Sequence, residues 1–146
     1  FKGYWQMPEK TAAEFREDGW FITGDLATMS EDGRITIVGR AKDLIISGGY
    51  NVYPKEIEAE IDDIEGVKES AVIGVPHRDF GEGVTAVVVL DGTRDMSEND
   101  IKSRLAGRLA KFKQPKRVYF VDQVPRNTMG KVQKAELRKT YEATYS

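Results

Sequence analysis

The chain has 146 residues, 40% hydrophobic and 32% charged, enough for one sizeable core with an attached fragment and too apolar for a disordered tract. With no cysteine and a single histidine, it excludes a disulfide framework, a thiolate nucleophile, a cysteine-ligated metal and a histidine-rich metal site. No apolar run reaches the ~18 residues of a membrane span, and the opening FKGYWQMPEK lacks a basic-then-apolar signal layout, so a reducing, cytoplasmic compartment is the expectation.

In chain order, residues 1 to 18 mix glycine, aromatics and charge around a short helix expected over Pro8 to Phe15, where proline suits a first helical position. The absence of an initial Met and the irregularity of this piece read as the end of something larger. GWFITGDL, Gly19 to Leu26, reads as an apolar strand that delivers Asp25 at its end, beyond the turn-forming Gly24. A carboxylate there can accept two hydroxyl hydrogen bonds, as a ribose offers, or can satisfy nearby backbone N–H groups as an ordinary turn aspartate. Ser30 to Gly33 is a turn, and Ile35 and Ile37 alternate in a strand over Arg34 to Val38.

The stretch GRAKDLIISGGYNVYPKEIE, Gly39 to Glu58, organises the rest. Leu44 to Ile46 and Tyr50 to Tyr53 make a hairpin about Gly48-Gly49, where positive φ or close approach of a ligand is permitted, and Pro54 opens a helix that buries Ile57, Ile61 and Ile64. The domain boundary falls at Arg40 to Asp43. Beyond it, strands are expected over Val67 to Val75 and the valine-rich Val84 to Leu90, with a polar loop over His77 to Gly83. Ser97 and Asp100 resemble a capping box opening a helix whose stripe is Ile101, Leu105, Leu109 and Phe112 and which Pro115 stops. A strand over Arg117 to Val121, a loop over Val124 to Lys131 and a helix over Gln133 to Tyr145 complete the order β-β-α-β-β-α-β-α. The fold class is α+β, helices on a small, mainly antiparallel sheet.

Charge is unevenly spread: residues 1 to 100 carry 10 Lys/Arg against 21 Asp/Glu (−11), residues 101 to 146 carry 12 against 3 (+9). Between Ile101 and Val121 lie seven cations and no acid, which either attract phosphate or form a solvated face balanced by the acidic half. In the loop PRNTMGKVQK, Lys131 follows Gly130 in an irregular segment, where its ammonium can reach a phosphate or carboxylate oxygen or simply remain solvated.

GWFITGDL, GRAKDLIISGGYNVYPKEIE and PRNTMGKVQK, in this order and spacing, resemble the closing motifs of the adenylate-forming superfamily, which includes acyl-CoA synthetases, luciferases and the adenylation domains of peptide synthetases. ISGGYNVYPKEIE is similar to the acid–CoA ligase branch, malonyl-CoA synthetases in particular. The resemblance implies a ligase using a small carboxylic acid such as malonate, ATP and coenzyme A, with Mg2+ held mainly by a part upstream of this chain. It divides the chain into residues 1–41, the end of a large ATP- and acyl-binding domain, and residues 42–146, a mobile C-terminal domain. By motif match, Asp25 and Arg40 hold ribose hydroxyls, Lys42 is the hinge, Gly48 and Gly49 line the pantetheine channel, and Lys131 is catalytic. Lys111 and Lys113 would meet the phosphates of coenzyme A, and a lysine acetyltransferase and deacetylase would act on Lys131. The glycine-rich ATP loop and acyl pocket are not in this sequence, so the isolated fragment is expected to be inactive. Two other readings compete: an adenylation domain that loads a carrier protein, and a basic nucleic-acid-binding module stacking bases on Tyr119, Phe120 and Tyr141.

Overall fold

The computed structural model describes residues 1–146, whose backbone separates into two units, Phe1–Lys42 and Asp43–Ser146. In the first, helix α1 (Pro8–Glu14) starts on its proline, and strands β1 (Asp25–Met29) and β2 (Ile35–Arg40) form an antiparallel hairpin. Phe1, Tyr4, Phe15 and Phe21 contact one another edge-on or tilted, yet no residue of this unit is buried within it. Ile35 and Ile37, one face of β2 by their spacing, are each 67% exposed and Met29 is 74% exposed, so the hairpin shows an uncovered apolar face.

One expectation fails here. Gly19 to Leu26 is not a strand: Phe21 makes a single bridge to Phe15, Trp20 is exposed, and regular pairing begins only at Asp25. The reason is Gly24, whose φ of +72° turns the chain out of the extended region just before β1. Asp25 therefore starts a strand rather than ending one.

The second unit follows the expected order. A 3-10 turn (Ala41–Asp43) leads into β3 (Ile45–Ser47) and β4 (Tyr50–Val52), α2 (Pro54–Asp62), β5 (Val67–His77), β6 (Gly81–Leu90), α3 (Glu98–Leu105), β7 (Arg117–Phe120) and α4 (Lys134–Thr140). Strand β6 pairs antiparallel with β5 along its whole length; on its other edge it meets β3 at Gly81 and, in parallel, β7 from Thr85 to Val88. Alternate residues of this central pair are buried on both faces. Val72, Val84, Ala86 and Val88 pack with Ile57, Ile61, Ile101 and Leu105 of α2 and α3, while Ala71, Ile73, Val75, Val87 and Val89 pack with Leu137 of α4. This double covering explains why β6 is a continuous valine run instead of an alternating one. Each such fully buried aliphatic side chain contributes roughly 1.5–3 kcal/mol.

Several boundaries differ from the sequence pattern. Strands β5 and β6 extend toward each other and leave only Arg78 to Phe80 as the loop. Helix α2 ends at Asp62, just before the buried Ile64. Helix α3 opens on the Ser97–Asp100 capping box but ends at Leu105, because Ala106 is extended and Gly107 takes φ +90°. Leu109 is nevertheless buried, its N–H donating to Leu105 O at 3.1 Å, and Phe112 stacks on Tyr50. Helix α4 ends at Thr140, and Tyr145 turns back onto β6, its hydroxyl 2.8 Å from Thr85 Oγ1. A Cβ at Gly83 would lie 2.3 Å from that ring, so glycine there makes room for the tyrosine.

Candidate functional site

Within the first unit the β1–β2 register sets Asp25 directly opposite Arg40. Arg40 Nε lies 3.0 Å from Asp25 Oδ1, and Arg40 Nη1 donates to Thr23 O at 2.8 Å. The Asp25 N–H donates to Thr23 Oγ1 at 3.1 Å, so a backbone donor is satisfied locally and the carboxylate is held by the guanidinium. A carboxylate with a free oxygen beside a fixed fork of donors is suited to a vicinal diol, whose hydroxyls both donate and accept.

In the second unit Lys131 sits on a tight, hydrogen-bonded turn. Asn127 Oδ1 accepts from Met129 N (3.0 Å) and Lys131 N (2.9 Å), Asn127 N donates to Lys131 O (2.9 Å), and Gly130 adopts φ +77°. Arg126 Nη1 donates to Gly130 O at 2.6 Å while Nη2 pairs with the Glu69 carboxylate on β5. The backbone of Lys131 is thus fixed while its side chain is exposed and forms no ion pair. Three residues on, Lys134 Nζ lies 2.5 Å from Glu58 Oε1, and Val72 N donates to the same oxygen at 2.9 Å. With side chains only 13% and 7% exposed, this pair joins the start of α4 to α2 and β5. Pattern reading passed over Arg126, Asn127, Glu58 and Lys134; the one available signal was asparagine ahead of a Gly-Lys pair, an Asx-turn signature.

Gly48 and Gly49, with φ +59° and +83°, are the central residues of the two-residue β3–β4 hairpin, a turn that itself requires positive φ at both. A Cβ on Gly48 would meet the Phe80 ring at 3.3 Å, whereas Gly49 faces open space. Lys42 lies exposed in the 3-10 turn at the junction of the two units, and Asp43 is held by Arg138 at 3.2 Å.

The basic run from Lys102 to Arg117 is largely neutralised. Lys102 pairs with Glu98 (2.6 Å), Arg108 with Asp63 (3.0 Å) and Glu60 (3.4 Å), and Lys113 with Glu56 (2.6 Å), acids that precede the run in α2, at its C-cap and in α3. Burial pushes the Glu98 carboxyl up, but the Lys102 hydrogen bond and the charges of Lys102 and Arg117 outweigh it and hold it below the usual glutamate range. Lys116 Nζ lies 3.7 Å over the Phe80 ring, which leaves Arg104 and Lys111 exposed without a carboxylate or ring partner. Aromatic stacking surface among these cations is limited, since Tyr119 stacks on Tyr141 at 4.4 Å within the fold.

Known proteins match along nearly the whole of this chain. Long-chain-fatty-acid–CoA ligase FadD13 of Mycobacterium tuberculosis is 47% identical over 143 residues, 98% of this chain and 28% of the relative. Feruloyl-CoA synthase of an Amycolatopsis species is 47% identical over 141 residues, 96% of this chain and 28% of the relative. The crystal structure of ATP-bound MatB from Rhodopseudomonas palustris superposes with a TM-score of 0.90 at 64% identity, covering the whole of this chain and 29% of that one. The chain therefore spans under a third of the length of the proteins it matches. Residues 56–131 match the model of the AMP-binding enzyme C-terminal domain, and with the hairpin, the two-sided sheet and the Lys131 turn in place the chain belongs to that family.

Proposed function

We propose that this chain is the C-terminal part of an ATP-dependent acid–CoA ligase acting in the cytoplasm on malonate or a related short carboxylic acid. Supporting the ligase class are the names of the relatives; supporting the acid is the likeness of ISGGYNVYPKEIE to malonyl-CoA synthetases. In the first step the acid's carboxylate oxygen bonds to the α-phosphorus of ATP and pyrophosphate leaves. In the second, the thiol of coenzyme A bonds to the acyl carbon, loses its proton, and AMP leaves.

The observation that carries the reading is the unpaired ammonium of Lys131 on a turn that holds both the N–H and the C=O of that residue. A cation held near the α-phosphate and the incoming carboxylate offsets the charge that gathers there in the transition state. Asp25 and Arg40 hold the ribose hydroxyls, and the Gly48-Gly49 turn, open at Gly49, admits the pantetheine arm. Lys111, free of any acid, is the better candidate for a coenzyme A phosphate; Lys113 would first have to leave Glu56. No three His, Cys, Asp or Glu side chains converge in the chain.

Residues 1–41 complete the larger, preceding domain, and residues 42–146 are the body that turns about Lys42 between the steps. The uncovered Met29, Ile35 and Ile37 and the absence of any buried residue in the first unit support this, because such a piece needs another body to cover it. The decisive experiment supplies the longer protein carrying this chain with malonate, ATP and coenzyme A. Stoichiometric AMP, pyrophosphate and acyl-CoA are expected, and no acyl-adenylate from residues 1–146 alone. Transfer to a carrier protein but not to free coenzyme A would overturn the ligase reading in favour of a loading domain.

A further inference from the structure

We propose that Arg126 is a positioning residue for Lys131, tying its turn to the central sheet through Glu69. The proposal rests on the reading of Lys131 as the adenylation lysine and adds how that lysine is held. A lysine ammonium rides on a flexible four-carbon stem, so the accuracy of its delivery depends on how firmly the stem's origin is fixed. Arg126 spreads its guanidinium across two acceptors: the carbonyl of Gly130, immediately before Lys131, and the carboxylate of Glu69 on β5. Glu69 pairs with Val89 of β6 near the start of β5, just past an irregularity in the ladder between Val67 and Glu69, and from Ala71 to Val75 the strand is buried on both faces. Glu69 also cancels the charge of Arg126, so Lys131 is the cation this turn projects outward.

Downstream, the turn is anchored to the same strand a second time, by Lys134 through Glu58, whose carboxylate accepts the Val72 N–H. Lys131 thus lies between two ion pairs that both lead to β5. The Glu58–Lys134 pair is nearly fully buried, and removing one member would leave an unpaired charge and threaten folding. Arg126 and Glu69 are half-exposed, so their removal tests position without dismantling the core.

The test uses the full-length protein that contains this chain, with the two half-reactions measured separately and Tm recorded. Arg126→Ala and Glu69→Gln should each slow acyl-adenylate formation about tenfold, in kcat rather than in the KM for ATP, since misplacement by ~1 Å costs up to ~10² in rate. Thioester formation from preformed acyl-adenylate should keep its rate, and Arg126→Lys, which retains the Glu69 pair, should recover part of the loss. In a Lys131→Ala background, Arg126→Ala should cost nothing more, because a residue acting only through Lys131 has nothing left to position. A wild-type adenylation rate for Arg126→Ala, equal losses in both half-reactions, or a further loss on top of Lys131→Ala overturns the proposal. If Lys131→Ala itself keeps full adenylation, the reading of Lys131 falls and this proposal with it; if it loses adenylation while Arg126→Ala does not, only the positioning role falls. Should Arg126→Ala prove unfolded by Tm, Arg126→Lys and Glu69→Gln decide the matter by the same half-reaction and background measurements.

Discussion

Replacing Lys131 by alanine isolates one charge. The side chain is exposed and makes no ion pair, while the turn uses only the residue's N–H and C=O, both of which alanine keeps. Folding stability should therefore move by no more than about 0.5 kcal/mol, the usual range for such surface changes. Catalysis should respond far more strongly. Two unit charges ~4 Å apart at an effective dielectric of ~20 interact by ~4 kcal/mol. At ~1.36 kcal/mol per decade that corresponds to up to ~10³ in rate if most of it is felt in the transition state alone. In the longer protein, Lys131→Ala should slow acid-dependent pyrophosphate release by two to three decades at that exchange. Thioester formation from preformed acyl-adenylate should stay close to wild type, because in the proposed alternation about Lys42 the lysine turns away with its domain. Acetylation of the same amine, by removing its charge, should reproduce the variant. Stopped assays of the two halves, with Tm as a control, check this; unchanged pyrophosphate release, or an equal loss in both halves, would refute the assignment.

Lys42→Pro should restrict the dihedral change at the junction and slow thioester formation more than adenylation, as single-turnover rates of each half would reveal. Lys111→Glu should raise the KM for coenzyme A and leave that for ATP unchanged; the same reversal at Lys113 should also lower Tm, because it sets a like charge against Glu56. Gly49→Ala, at φ +83° with open space around its Cβ, should lower stability by about 1–2 kcal/mol from backbone strain alone, measurable by urea unfolding. Since Glu98 titrates below its usual range, its contribution to stability is present above the ordinary glutamate pKa and is lost as pH falls through the lowered value; Glu98→Gln should flatten that acid limb of a Tm–pH profile.

Local patterns with a single physical reading carried through to the structure. The isoleucines at helical spacing in α2, the valine run of β6 and the Ser97–Asp100 box each point to one solution, and the order of elements after Lys42 followed from them. Asp25 and Arg40, named separately from two motifs, meet because the hairpin register makes them partners. The ends of α3 and α4 were less legible, since Leu109 and Tyr145 keep apolar spacing while the chain leaves the helix at Gly107 and after Thr140.

Residues close in the chain determined, by themselves, the family likeness and the positive-φ turn at Gly48-Gly49, both properties of short segments. Apart from the i,i+4 pair Glu98–Lys102 within α3, tertiary structure decided which charges are free. Seven cations without an intervening acid read as one basic surface, yet Glu56 and Glu60 of α2, Asp63 just after it and Glu98 of α3 take four of them and Lys116 lies over Phe80, leaving Arg104 and Lys111 open. The same holds for Arg126 and Lys134, whose partners Glu69 and Glu58 are distant in sequence and were brought to them by the packing of β5 and α2. The physical reason is range: backbone conformation is set by neighbours a few residues away, whereas a charge at a fold's surface is paired or free according to what the core's packing places within ~4 Å of it.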